Sequence, residues 1–296
     1  MRPSRVTKLM FFAAVFSCLA AYLEAQGVEY VPTAIILISP ESDLRHLTPQ
    51  NLLVSVGKSE FIPVKEIKEA NSVPLDVILL IDTSNSIRDG NRVQDALSQA
   101  TQLIDSVSKS ELPVRYAAIR AGETPEIVHE FTSEPISNRS LHLSSGGGTA
   151  LFDAFVLAGE MFQKEPASNR HVVIAFTDGG DNASQHGRDQ AIQALGLGSA
   201  MVYAVNTRVT RPQDSFYIRG EKSLERIAEM TGGRAFFPTR EQQVVDVFEF
   251  IRVDLQQQLF VTCSLPSSTS ALLPIKFKSK TKGFRFRAPK YVPSQP

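Results

Sequence analysis

Five consecutive apolar residues, Val77–Ile81 (VILLI), run directly into Asp82. A strand with one face in water alternates apolar and polar side chains, so an unbroken run of this kind needs cover on both faces. The pattern recurs downstream. HVVIAFT ends just before Asp178, AMVYAVN ends at Asn206, and VRYAAIR is a further run with EIVHEF close enough behind it to be a hairpin partner. Helical spacing separates these runs: Val93, Leu97, Ala100, Leu103, Ile104 and Val107 fall on one stripe, and Leu151, Phe155, Ala158 and Phe162 on another. RDQAIQALGLG, EKSLERIAEMTGG (closed by Gly232) and EQQVVDVFEFIRVDLQQQL read as later helices, and RAFFP as a short strand. Strands alternating with helices over residues 74–258 predict an α/β domain: a Rossmann-like, doubly wound, mostly parallel sheet with helices on both faces.

The two ends have a different rhythm. TAIILISP and NLLVSVGKSEFIPVKEI, within residues 26–73, and LFVTCSL, LLPIKFKSK and GFRFRAP, within residues 259–296, are short alternating runs of β type. Neither end alone has enough strands to be stable. The expectation is one small β-rich accessory domain in which the two segments pair.

Residues 1–25 have the layout of a secretory signal peptide. Arg2, Arg5 and Lys8 precede an apolar run with small residues toward its end, and cleavage after Ala25 is expected. Retention as a membrane anchor is the alternative, against which the run is short for the roughly 20 residues a span needs. VFSC, ending at Cys18, is a loose match to a lipoprotein acceptor site that Phe16 fits poorly. With Cys18 removed, Cys263 is left without an intrachain partner. Such a chain is expected to be exported, in a bacterial periplasm, at the cell surface or secreted, and large enough to fold without disulfides. Its 31 Lys plus Arg balance 31 Asp plus Glu, which removes the overall positive field of a nonspecific nucleic-acid binder.

Ligands of open α/β sheets bind past the carboxyl ends of the strands. Oxygen-bearing side chains gather there: Asp82, Ser84 and Ser86 in IDTSNS, Thr149 in GGGTALFDA, and Asp178 in FTDGGDN. Carboxylates and hydroxyls without His or Cys suit a hard cation, Mg²⁺ above all, with Mn²⁺ or Ca²⁺ possible, and do not suit structural zinc. Two aspartates at one rim also call for a counter-charge. Singly, each element has a plainer reading: Asp82 or Thr149 as a cap, TDGG as a turn, and Asp181 and Asn182, further residues at the same rim, as turn residues in place of groups that orient water or select a partner.

The joint pattern, DTSNS, then a Thr after a Gly-rich loop, then TDG after a strand, resembles the metal-ion-dependent adhesion site (MIDAS) of von Willebrand factor type A domains. Carried over residue by residue, Asp82, Ser84, Ser86, Thr149 and Asp178 match the family's metal positions. The resemblance implies that the hydroxyls bind the metal directly, that one or both aspartates act through water, and that an acidic residue of a partner protein completes the coordination. The flanks resemble the VWFA-related domain proteins abundant in acidobacteria: LTPQNLLVSVGKS precedes the metal site, GGTALFDA and TDGGDN match that subgroup's habits, and the chain closes near RAPKY. Ile87 stands where the subgroup commonly carries Met, at a position that is not a ligand.

The resemblance implies a non-enzymatic binding module. A serine hydrolase built on Asp82 and His186 needs a nucleophilic serine in a later GTS or G-x-S-x-G element, and none follows His186. A Mg²⁺-dependent phosphohydrolase on the same sheet is the enzyme alternative, although Ser84 and Ser86 stand where a second catalytic carboxylate is usual. GLGS at 196–199 follows a helix and precedes a strand, the reverse of a phosphate-cradling order. In KFKSKTKGFRFRAPK, basic residues alternate with Phe277, Phe284 and Phe286, which reads as a β-hairpin turning near Lys282 and Gly283 with a solvated basic face. The competing reading of that face is a contact for an anionic surface, either envelope lipid in a transient or peripheral association or an acidic partner.

Overall fold

The structure is a computed structural model that describes residues 33–44, 46–71, 73–83, 98, 113–134, 147–206 and 215–294. The N-terminal strands are β1 (Thr33–Pro40), β2 (Leu52–Val56), β3 (Ile62–Pro63) and β4 (Glu66–Glu69). The α/β portion holds β5 (Leu75–Asp82), β6 (Val114–Ala121), β7 (Pro125–Thr132), α1 (Leu151–Phe162), β8 (Arg170–Phe176), α2 (Arg188–Leu197), β9 (Ala200–Val205), α3 (Ser215–Thr231), β10 (Arg234–Phe236) and α4 (Glu241–Gln257). Strands β11 (Leu259–Ser264), β12 (Leu272–Ser279), β13 (Phe286–Arg287) and β14 (Tyr291–Pro293) follow.

VILLI lies in β5, every residue of which is buried. Alternation divides its side chains between two cores. Val77, Leu79 and Ile81 face one core with Phe248, Ile251 and Leu255 of α4. Ile78 and Leu80 face the other, with Phe155 of α1, Leu195 of α2 and Ile227 of α3. Complete burial of one such side chain is worth about 1.5–3 kcal/mol, so the run is stable only in a strand covered on both sides.

The sheet order is β10-β9-β8-β5-β6-β7. All neighbouring pairs are parallel except β6 with β7, the expected hairpin. This is the α/β class that the alternation implies. The stripe Val93–Val107 lies outside the described residues, as do residues 1–25. Among the described residues no helix is long and apolar enough to cross a membrane.

The flanking segments build two four-stranded sheets, β13-β1-β11-β4 and β14-β12-β2-β3. Each sheet takes strands from both ends of the chain. Their shared core includes Ile36, Ile38, Val54, Val261, Cys263 and Ile275. Burial pushes the Cys263 thiol up to about 11, so it is an inert apolar filler.

One expectation is overturned. Lys276 to Arg287 do not form a hairpin: β12 pairs with β2 and β14, whereas β13 pairs with β1 in the opposite sheet. Gly283, at φ +97°, turns the chain across the sandwich. Phe277 and Phe286 meet from the two sheets, ring centroids 5.7 Å apart, so the apolar face packs across the sandwich and not along a ribbon.

A buried polar network joins the two parts. Arg287 on β13 donates to Asp254 of α4 at 2.5 Å, and the Tyr203 hydroxyl of β9 donates to the same carboxylate oxygen. Gln258 Nε2 donates to the Tyr203 oxygen at 3.2 Å. Burial, reinforced by Asp254, pushes the Tyr203 hydroxyl far above its ordinary value and keeps it a donor. Arg170, 1% exposed, donates to the Leu255 carbonyl at 2.7 Å, and burial lowers its guanidinium to about 10.

Candidate metal centre at the carboxyl ends of the strands

Strands β5 and β8 are neighbours, and the sheet extends from them in opposite directions, through β6 on one side and β9 on the other. The crevice past their carboxyl ends is therefore a switch point of the kind where open α/β sheets bind ligands. Asp82 ends β5, and Thr177 and Asp178 follow β8. Thr149 precedes α1. Asp82, Asp178 and Thr149 are all buried, at 1%, 2% and 4% exposure. Ser84 and Ser86 lie outside the described residues.

The three described members are held by different means. Asp82 Oδ2 accepts the Thr177 hydroxyl at 2.7 Å, and Oδ1 lies 3.4 Å from the Thr149 hydroxyl, which points at it. Thr177 in turn accepts the Gly179 N–H at 3.0 Å, so its proton has one direction to go. Asp178 Oδ1 accepts the Gly180 N–H at 3.0 Å. Gly179 sits at φ +83°, and a Cβ there would stand 2.6 Å from the carbonyl carbon of Gly220 on α3. The loop after Asp178 thus packs backbone to backbone against a helix, an approach that only glycine permits.

Thr149 is fixed by a segment more than thirty residues later in the chain. Its N–H donates to Asn182 Oδ1 at 2.8 Å, and its carbonyl accepts the N–H groups of Asn182 and Ala183 at 3.0 and 3.2 Å. Helix α1 has no side-chain cap of its own. Its first-turn donors are met in trans: the Phe152 N–H by Asp181 Oδ2 at 3.0 Å and the Asp153 N–H by Ser184 Oγ at 3.1 Å. The Asp153 carboxylate then accepts the N–H groups of Gln185 and His186, at 2.9 and 2.8 Å, and the His186 ring nitrogen Nδ1 at 2.8 Å. Burial works to raise the Asp153 carboxyl, but these donors outweigh it and hold it below the usual carboxylate range. His186 is therefore oriented by Asp153, not by Asp82. Asp181 and Asn182, which read as turn residues, are the clamps of this loop.

Sequence pattern does not single out Thr177 or Ser184, and it places Asp181 and Asn182 at the rim without showing that they cap α1 and hold Thr149. For Thr177 a signal existed: a hydroxyl at a strand end immediately before an aspartate, in a run otherwise wholly apolar. For the trans caps none existed, because the donors they satisfy lie about thirty residues away.

The donor set suits a hard divalent cation. The Asp82 carboxylate and the Thr149 hydroxyl meet in a buried crevice, and Asp178 is buried just past the end of the adjacent strand β8. Thr83 Oγ1, next to Asp82, is buried with no hydrogen-bond partner among the described residues. It adds unused polar capacity at the rim, suited to water around a cation.

A fold of this topology, with aspartates and a threonine at its switch point, defines an α/β domain of the von Willebrand factor A class. Residues 77–180 match the family model of the von Willebrand factor type A domain, and the chain carries a domain of that type there. Among solved structures it is similar to a von Willebrand factor type A protein from Catenulispora acidiphila (14% identity, 89% of this chain and 74% of that one, TM-score 0.50). It is also similar to the proximal thread matrix protein 1 of the mussel byssus (15%, 67% and 50%, 0.52) and to the pilus adhesin SpaC from Lactobacillus rhamnosus GG (13%, 75% and 35%, 0.52). The chain thus spans half of the mussel protein and about a third of the adhesin, and at these identities the likeness is one of fold. A comparison with curated proteins gives no match.

Proposed function

We propose that this chain is an exported, non-enzymatic binding module that captures an acidic group of a partner protein through a divalent cation held by Asp82, Ser84, Ser86, Thr149 and Asp178. The observation that carries the reading is the meeting of Asp82 with Thr149 at the switch point, 67 residues apart in sequence and 3.4 Å apart in space. With its proton aimed at the Asp82 carboxylate, the Thr149 hydroxyl has lone pairs left for a ligand. Thr177 holds the other Asp82 oxygen, the arrangement by which outer groups orient a metal site. When bound, Mg²⁺ or Mn²⁺ would supply positive charge and a coordination position for a partner carboxylate. Two further features support export and surface binding: the signal-like residues 1–25, and a fold shared with the pilus adhesin SpaC.

The test is the unfolding midpoint of the protein with and without Mg²⁺ or Mn²⁺. A cation at a hundredfold excess over its dissociation constant adds about 2.7 kcal/mol of stability. The wild type should gain it and Asp82→Ala should not; identical midpoints with and without metal would overturn the site. Metal-dependent turnover of a phosphate ester, lost in Asp82→Ala, would instead establish the phosphohydrolase alternative.

A further inference from the structure

The departure of the basic segment from a hairpin leaves a strand edge open. In β12 the Pro274 carbonyl accepts the Gly57 N–H, and the Lys280 N–H donates to the Asn51 carbonyl. Even-numbered residues of this stretch therefore direct their backbone groups toward β2, and odd-numbered ones toward the other edge. On that edge Ile275 N–H donates to the Lys290 carbonyl at 2.9 Å, as the last bond of the ladder with the β14 segment. The register would next place Ala288 beside Phe277 and Phe286 beside Ser279. Instead, Phe286 and Arg287 pair with Pro40 and Ser39 of β1. Among the described residues, the edge carrying the N–H and C=O groups of Phe277 and Ser279 has no partner strand.

Residues Pro274 to Lys278 of β12, Phe277 of that edge among them, line a groove of about 1190 Å³ between the sandwich and the amino end of β10. Phe277 and Phe286 lie on its lining with Phe61 and Phe284. Its charge is one-sided. Arg226 pairs with Glu229, and Arg234 and Arg287 pair with Glu41. Lys276, Lys278, Arg285 and Lys290 are exposed and in no ion pair among the described residues, against Glu225 alone on the acidic side. Lysines on a strand edge ordinarily keep other strands away. They do so by charge, and an acidic strand is the one kind they attract.

We infer that the groove beside β12 binds an extended, acidic peptide segment of a partner protein, which adds as a strand to the Phe277–Ser279 edge while Lys276, Lys278 and Arg285 face its carboxylates. This is recognition by strand addition, with backbone bonds supplying affinity and flanking charges supplying selectivity. The site shares no residue with the metal rim. It lies at the amino end of β10, whereas the rim lies at the strands' carboxyl ends, so both can be occupied together.

The test is fluorescence anisotropy in EDTA, which silences the metal site, using an eight-residue peptide that alternates Glu and Thr. Its Lys/Thr counterpart and a fully N-methylated version serve as comparisons. The acidic peptide should bind, and both comparison peptides should not. Reversing Lys276 and Lys278 together to Glu should weaken binding by about tenfold or more and leave the unfolding midpoint unchanged, since both side chains are exposed. Hydrogen exchange should show the Phe277 and Ser279 amides protected by the peptide. Equal binding of the N-methylated peptide, absence of that protection, or lysine-dependent binding of anionic lipid vesicles in place of the peptide would overturn strand addition.

Discussion

Thr177 gives its hydroxyl proton to Asp82 Oδ2 at 2.7 Å while its oxygen accepts the Gly179 N–H at 3.0 Å, so one side chain fixes both a carboxylate and the turn that carries Asp178. Replacing it by Val keeps the shape and removes both bonds at a buried site. Thr177→Val should cost about 1.5–3 kcal/mol in urea unfolding, the usual worth of a hydrogen bond to a charged group. It should also weaken Mg²⁺ or Mn²⁺ binding by about 10- to 100-fold, as loss of an orienting outer group does. A titration calorimetry curve identical to the wild type's would remove Thr177 from the site.

The contact between Gly179 and Gly220 predicts a second, purely steric lesion. A Cβ on Gly220 would lie 2.7 Å from the Gly179 carbonyl, where backbone has to move. Gly220→Ala should cost about 1–3 kcal/mol, the range for overpacking. It should also lower metal affinity, because the displaced loop begins at Asp178. Unchanged affinity beside lowered stability would show that the loop shift does not reach the aspartate.

Asp153 makes a pH prediction. Despite burial, which acts in the opposite direction, donors from Gln185 and His186 hold its carboxyl below the usual range. A group with a depressed folded-state pKa stabilises above its unfolded value, near 4, and loses that contribution as pH falls through the folded value. Asp153→Asn should therefore be less stable than wild type by about 1 kcal/mol at neutral pH, with the gap closing below about pH 4. Denaturant melts at pH 7 and pH 3 check the sign.

At the junction, Asp254 receives both Arg287 and the Tyr203 hydroxyl, with side-chain exposures of 12% for Arg287 and 4% for Asp254. Asp254→Ala leaves the buried Arg287 guanidinium with no carboxylate among the described residues nearer than Glu41, at 3.4 Å, and should cost about 3–5 kcal/mol. Combining Asp254→Leu with Arg287→Met should recover most of that loss, because replacing both partners of a buried pair by apolar groups is often neutral. A double variant as unstable as Asp254→Ala would mean that Tyr203, left without its acceptor, dominates the cost.

The legible part of the site was the part written in consecutive residues. Asp82 and Asp178 follow apolar runs of β5 and β8, and in a parallel sheet strand ends share a rim, so chain direction alone puts them at the same rim. Thr149 was legible only as a hydroxyl after a Gly-rich loop. What fixes it is Asn182, and no local pattern ties Asn182 to a threonine 33 residues earlier. The basic stretch shows the same limit from the other side. Period two correctly separated Lys276 and Lys278 from Phe277, yet it carried no information on which strand would lie alongside.

By itself, then, the sequence determined the class of fold and the chemistry of the rim. Five apolar residues in β5 demand cover on two faces, and aspartates, serines and a threonine at strand ends are oxygen donors wherever the chain runs. The tertiary structure alone decided three things: how the paired chain ends divide between two sheets, that loop 181–187 caps α1 in trans, and that β13 pairs with β1 and not with β12. Side-chain period is a local property set by the pleat. Partner choice depends on contacts between residues tens to hundreds of positions apart, such as Ser39 with Arg287, and only the packed sandwich supplies them.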